Sequence, residues 1–230
     1  EYSTDLTKHM TAIYPIEIPD HSLGQVVADC GMTQLRIAEA EKYAHVTFFI
    51  NGGMEQEFNG ERRILVPSPQ VATYDLAPGM SAMDVTEKLV EAVESGAFDL
   101  IIVNYANGDM VGHTGILSAA IEAANTVDIC LSRLEKAVED NGGVILVTAD
   151  HGNCELMIDP DNGSAHTAHT VGVVPVVLVN GPDTVTNLND GRLADIAPTI
   201  LDLMGVPQPE AMTGQSLLDR SAEAPRRAAE

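Results

Sequence analysis

The sequence predicts an α/β fold built on a mostly parallel sheet with helices on both faces. Short apolar runs of strand length alternate with longer stretches whose apolar residues recur every three or four positions, the pattern of strands joined by amphipathic crossover helices. Glycines, prolines and capping residues punctuate the boundaries between them. With 230 residues and 45% hydrophobic side chains, the chain is long enough for one sizeable core.

Taken in order, residues 1–19 carry Pro15 and Pro19 and little periodicity, so they are expected to be a connector arriving from elsewhere rather than the start of a domain. The main domain is expected over 20–219. Ser22 opens a short helix with Leu23, Val26, Val27 and Cys30 turned inward and Gly31 as its C′ residue, and Gln34 to Ile37 forms a strand. His45 to Ile50 is β-branched and aromatic and stops at Asn51-Gly52-Gly53, which predicts a second strand. Arg63 to Val66 predicts another, closed by Pro67-Ser68-Pro69. Ser81 and Asp84 give a capping-box start to a helix carrying Val85, Leu89 and Val93, and Leu100 to Val103 follows as a buried strand. A long amphipathic helix is marked by Ile116, Ala120, Ala123, Val127, Leu131, Leu134 and Val138 and ends at Gly142-Gly143. Val144 to Val147 and Val173 to Val179 are the next strands. Leu193, Ile196, Ile200 and Leu203 mark a last helix that ends at Gly205. Residues 220–230 are polar and alanine-rich and are expected to be a disordered tail.

Thirty-four acidic against twelve basic residues give a formal charge of −22, which repels phosphate backbones and anionic membrane surfaces. Neither a nucleic-acid nor a membrane partner is expected. An anionic substrate would need local positive charge, and with Lys and Arg scarce, bound divalent cations are a source of it. The three cysteines, Cys30, Cys130 and Cys154, are widely spaced and outside any CxxC pattern, so they indicate neither a disulfide framework nor a zinc knuckle. No apolar run approaches the roughly 20 residues needed to span a bilayer, and the amino end lacks a signal-peptide pattern. The expected location is a reducing cytoplasm.

The chemistry-bearing residues gather where strands end. The run Val144 to Val147 empties into Thr148-Ala149-Asp150-His151-Gly152-Asn153, and in an open α/β sheet ligands collect beyond such carboxyl ends. The strand ending at Val103 is followed by Asp109 and His113, flanked by Gly108 and Gly112, so an Asp and a His recur at a second strand end. Ala165-His166-Thr167-Ala168-His169-Thr170 supplies two more imidazoles, at least one of them a candidate ligand. Hard carboxylate oxygen with borderline imidazole nitrogen suits Mn2+ or Zn2+ better than Ca2+ or Mg2+. Candidate ligands on three converging loops suggest two neighbouring metals, the arrangement that clamps the attacking and leaving oxygens of phosphoryl transfer. His9, His21 and His45 lack such company and read as structural, and Cys154 reads as a small packed residue.

These residues carry a resemblance. Glu41-Lys42-Tyr43-Ala44-His45-Val46-Thr47-Phe48-Phe49, Arg63 to Pro69, Asn104 to Gly115, Thr148 to Asn153 and His166 to Thr170 resemble, in the same order, segments of the cofactor-independent phosphoglycerate mutases of the alkaline phosphatase superfamily. The resemblance covers about Ser22 to Leu218. It implies an alkaline-phosphatase-like fold and interconversion of 3-phosphoglycerate and 2-phosphoglycerate through a phosphoserine, with two Mn2+ ions (Mg2+ or Zn2+ as alternatives) and no 2,3-bisphosphoglycerate. It implies one metal held by Asp109, His113 and His169, a second held by Asp150 and His151, and substrate phosphoryl contact by Lys42. The motifs that supply the family's nucleophilic serine and a further aspartate do not occur here, and Ser68, Ser81 and Ser118 lie in unmatched contexts. The chain is therefore expected to lack the family's amino-terminal segment and inserted transferase domain. On its own it is expected to be inactive and either marginally stable or prone to self-association at an uncovered sheet edge, whereas the full-length enzyme would be a monomer. Another metal-dependent phosphatase or phosphomutase of the superfamily is the alternative, and a non-enzymatic module that binds metal or a partner protein is a third reading.

Overall fold

The computed structural model describes residues 9, 11, 13 and 20–220, so the expected connector over 1–19 and the tail after Arg220 lie almost wholly outside the described residues. At the centre is β1 (Gln34–Glu39), all six residues of which are buried. It is flanked in parallel by β2 (Glu61–Val66) and β3 (Leu100–Asn104), in the order β2-β1-β3, with Gln34 level with both Glu61 and Leu100. Alternation along the strands divides the apolar side chains between two faces. Leu35, Ile37, Val66, Ile101 and Val103 pack with Val85 and Leu89 of α3 (Ala82–Glu94) and Leu134 and Val138 of α5 (Leu117–Asp140). Leu100 and Ile102 pack on the opposite face with Val26 and Val27 of α1 (Leu23–Asp29) and Leu201 of α6 (Ile196–Met204). Helices on both faces follow, as the sequence predicts.

Local signals explain the helix ends. Gly31, at φ +71°, lets the amide of Met32 reach the Val27 carbonyl and its own amide reach Ala28, which satisfies the last carbonyls of α1. Gly205, at φ +67°, closes α6 in the same conformation. Three expectations are corrected at this level. Cys30 is exposed rather than inward. Ser81 does not cap α3; its hydroxyl donates to the Pro67 carbonyl at 2.6 Å. On α5, Ala120, Ala123, Leu134 and Val138 are buried, whereas Ile116 precedes the helix and is exposed.

The expected strand over His45–Ile50 is not one. Residues 40–42 form a 3₁₀ turn that runs into α2 (Tyr43–Val46), and the chain then turns with Phe49 N–H bonded to Ala44 O, Asn51 N–H to Thr47 O and Gly53 N–H to Phe48 O. Spacing by four buries Lys42 and Val46 on one side, while Phe49 stays exposed, so tertiary packing overrides the strand propensity of these side chains. The stretch Asn104–His113 contains a helix, α4 (Asn107–Gly112), that the sequence did not signal.

The last strands also depart from a parallel pattern. β4 (Ile145–Thr148) pairs antiparallel with β5 (Val176–Val179), because the segment between them contains no helix and returns without a crossover. Val173, expected within β5, lies outside it and is fully exposed. β6 (Val185–Leu188) pairs antiparallel with β7 (Leu218–Arg220), and Arg220 bonds Asp202 at 2.7 Å. Among the described residues no helix is long and apolar enough to cross a membrane.

Candidate metal centre

All but one of the candidate side chains follow a strand end within a few residues or one short helix. Lys42 follows β1 in the 3₁₀ turn, Asp109 lies in α4 after β3, His113 caps α4, and Asp150 and His151 follow β4. His169 is carried by the long β4–β5 connection, which is pinned back by Thr170 N–H donating to Gly152 O at 3.0 Å. The turn bearing Lys42 is held from below by Glu39, the fully buried last residue of β1. Ser68 donates its hydroxyl to Glu39 Oε2 at 2.8 Å and accepts the Glu41 amide at 3.3 Å. Burial pushes the Glu39 carboxyl above its ordinary range, and the hydrogen bonds from Ser68 and Ser81 oppose that.

Asp109 is the hub. Lys42, itself 7% exposed, donates to Asp109 Oδ2, and the Asn153 carboxamide donates to Oδ1 at 2.8 Å. His113 Nε2 and His169 Nε2 each lie 2.9 Å from Oδ1 and 3.1 Å from one another. Burial works to raise the Asp109 carboxyl, but the bonds from Lys42 and Asn153 and the nearby positive charge outweigh it and bring it down to about 2.

The tautomer of His113 tests whether this cluster fits a metal. Its Nδ1 lies 2.7 Å from the Thr167 carbonyl, which can only accept, so Nδ1 carries a hydrogen and Nε2 is the ring's lone pair for a cation or a proton. That lone pair faces a carboxylate oxygen and a second imidazole nitrogen. Converging lone pairs repel unless a cation or proton lies among them, and a carboxylate–imidazole donor set is what Mn2+ or Zn2+ takes. His151 stacks on His169 with ring centroids 3.8 Å apart, and Asp109, His151 and His169 each bring a ligand atom within 4.8 Å of the others. Asp150 stands further out, more than half exposed, with Oδ2 3.6 Å from His151 Nε2.

His166 is not in the cluster. His45, read from sequence as structural, stands within electrostatic reach of it: burial lowers its imidazole first, Lys42 lowers it further, and Asp150 and Asp109 act the other way. Its three-residue spacing from Lys42 would have flagged it only if the stretch had been read as helical. Asn153 was also passed over, although it lies two residues beyond His151.

An α/β fold whose parallel strands and antiparallel β4–β5 pair bring carboxylate and imidazole groups to one point is suited to holding a divalent metal. The chain belongs to the Metalloenzyme superfamily, whose pattern matches residues 9–208. Within that class its relatives are specific. The 2,3-bisphosphoglycerate-independent phosphoglycerate mutase of Gluconobacter oxydans is 60% identical over 218 residues, covering 95% of this chain and 42% of that protein. The enzyme of the same name from Rhodopseudomonas palustris is 57% identical over 220 residues, covering 95% and 43%. A crystal structure of Leishmania mexicana phosphoglycerate mutase, determined at low cobalt concentration, matches with a TM-score of 0.78 at 34% identity, covering 85% of this chain and 38% of that one. The chain thus spans less than half the length of these relatives.

Proposed function

We propose that this chain forms the metal-binding part of a phosphoglycerate mutase that interconverts 3-phosphoglycerate and 2-phosphoglycerate through a phosphoserine in glycolysis and gluconeogenesis. The observation that carries the reading is the convergence of His113, His169 and Asn153 on one oxygen of Asp109 while Lys42 holds the other. In this reading Asp109, His113 and His169 hold one ion, and Asp150 and His151 contribute to a second. The ions are Mn2+, with Mg2+ or Zn2+ as alternatives, and when bound they neutralise charge on the transferred phosphoryl group. Lys42 supplies a mostly buried ammonium that meets the phosphoryl group as a point charge. Thr167 fixes the His113 ring through its carbonyl, and Asn153 and Lys42 fix the carboxylate. The nucleophilic serine and the groups that grip glycerate are assigned to the part of the relatives' length that this chain does not span. The whole enzyme is proposed to act as a monomer in the cytoplasm.

The test is to graft the chain in place of the matching segment of the Gluconobacter oxydans enzyme and follow 2-phosphoglycerate formation with coupled enolase. Turnover that is lost with chelator and restored by Mn2+ is expected, and the 230-residue chain alone should bind Mn2+ without turnover. Hydrolysis of an aryl phosphate with no mutase turnover would overturn the reading in favour of a phosphatase.

Ligand assignment has its own check by calorimetric titration of Mn2+. His169→Ala is expected to weaken binding by at least about 100-fold, beyond what outer-shell changes usually do, and His166→Ala by less than about 10-fold. Equal losses would remove His169 from the ligand set.

A further inference from the structure

We infer that Asn153 is the positioning residue of this centre, setting the orientation of the Asp109 carboxylate and locking the His151 loop to α4. The inference rests on the reading of Asp109 as a metal ligand. A carboxylate's terminal torsion is soft, so its two oxygens keep their assignments only if something holds them. Lys42 holds Oδ2, and Asn153 Nδ2 donates to Oδ1 at 2.8 Å and to the Asp109 backbone carbonyl at 3.2 Å, so one amide fixes both the side chain and its own peptide. Asn153 is 4% exposed.

A neutral donor suits the task. A second Lys or Arg on Oδ1 would cancel the negative charge a cation needs, and an Asp at 153 would face the carboxylate acceptor to acceptor. The approach is also built for. A Cβ on Gly112 would lie 2.3 Å from Asn153 Oδ1 and 2.7 Å from its Cγ, so only glycine at the end of α4 lets the amide come this close. The other end of Asn153 is tied as well. Its backbone N–H donates to Glu155 Oε2 at 2.6 Å, Glu155 accepts the Thr170 hydroxyl, and Thr170 adjoins His169. Asn153 therefore stands in a continuous set of hydrogen bonds from Asp109 to the His169 segment, with no role in the chemistry itself.

The experiment uses the full 230-residue chain and its Asn153→Ala, Asn153→Asp and Gly112→Ala variants. Affinity for Mn2+ is measured by calorimetry, the visible absorption of the Co2+-loaded forms is recorded at saturation, and the metal-free forms are melted. Expected is a 10–100-fold loss of Mn2+ affinity in each variant, the scale of outer-shell changes at metal sites, with an altered Co2+ spectrum even where metal-free melting falls with the lost buried hydrogen bonds. Gly112→Ala reports displacement of the amide without deleting it, so the test survives if one Asn153 variant misfolds. Unchanged affinity and spectrum would overturn the inference. So would weaker binding that tracks a lowered melting temperature with the Co2+ spectrum intact, which would mark a merely structural residue. Failure of the parent chain to bind Mn2+ or Co2+ would instead sink the metal reading beneath it.

Discussion

Asp109→Asn is expected to lower the stability of the metal-free chain by about 3–5 kcal/mol, the usual cost of stranding one member of a buried ion pair, and to abolish Mn2+ binding at this position. Lys42 and Asp109 are paired with side-chain exposures of 9% and 13%, so neither charge has bulk water to fall back on. The pair is nevertheless weak evidence of stabilisation, because a well-packed apolar replacement avoids the desolvation of both groups. Adding Lys42→Met to Asp109→Asn should therefore recover most of the lost stability while leaving metal binding abolished. Urea unfolding with chelator present, followed by titration of Mn2+, separates the two effects. A single variant as stable as the parent would show that Lys42 is not committed to Asp109.

The second large effect lies in the sheet. Leu35 is fully buried on the central strand and packs with Val66, Leu89, Leu134 and Val138, a site where every neighbour is held by a strand or helix and cannot collapse inward. Leu35→Ala is expected to cost about 2–5 kcal/mol through lost burial and a residual cavity. For a chain of this size that lowers the melting temperature by roughly 10 °C. Leu65, on β2 but 52% exposed, is the control, and Leu65→Ala should cost less than about 1 kcal/mol. A loss at Leu65 as large as at Leu35 would contradict the placement of the core.

What the sequence revealed and what it hid follow from the range of the forces involved. β1, β2, β3 and β4 were legible because short apolar, β-branched runs bounded by turn residues fit strands, although Leu100 to Val103, expected as a buried strand, is only partly buried. The termini of α1 and α6 were legible because Gly31 and Gly205 carry a local conformational requirement. His45 to Ile50 misled because β-branched and aromatic side chains advertise a strand, while their helical turn is imposed by the packing of Lys42 and Val46. The antiparallel pairing of β4 and β5 was hidden because direction depends on what lies between strands. Asp109, His113 and His169 could be named from spacing and resemblance, and the structure does bring them together. The supporting shell of Asn153, Glu39 and Ser68 could not be read, since a side-chain amide or hydroxyl acquires its role only from a partner distant in sequence.

The distances along the chain have a consequence for how the centre is made. Lys42 and Asp109 are 67 residues apart and His113 and His169 are 56 apart, and β1 meets β3 only after an equally long excursion. Closing such loops adds only about 0.6 kcal/mol of entropy for each doubling of length, so the finished site is not penalised much for its remote parts. The rate bears the burden instead, because nonlocal parallel pairings form late and slowly. Formation of the Lys42–Asp109 pair is thus a clock for the final stage of folding: no partly assembled intermediate lacking the β1–β3 pairing can bring the lysine to that carboxylate.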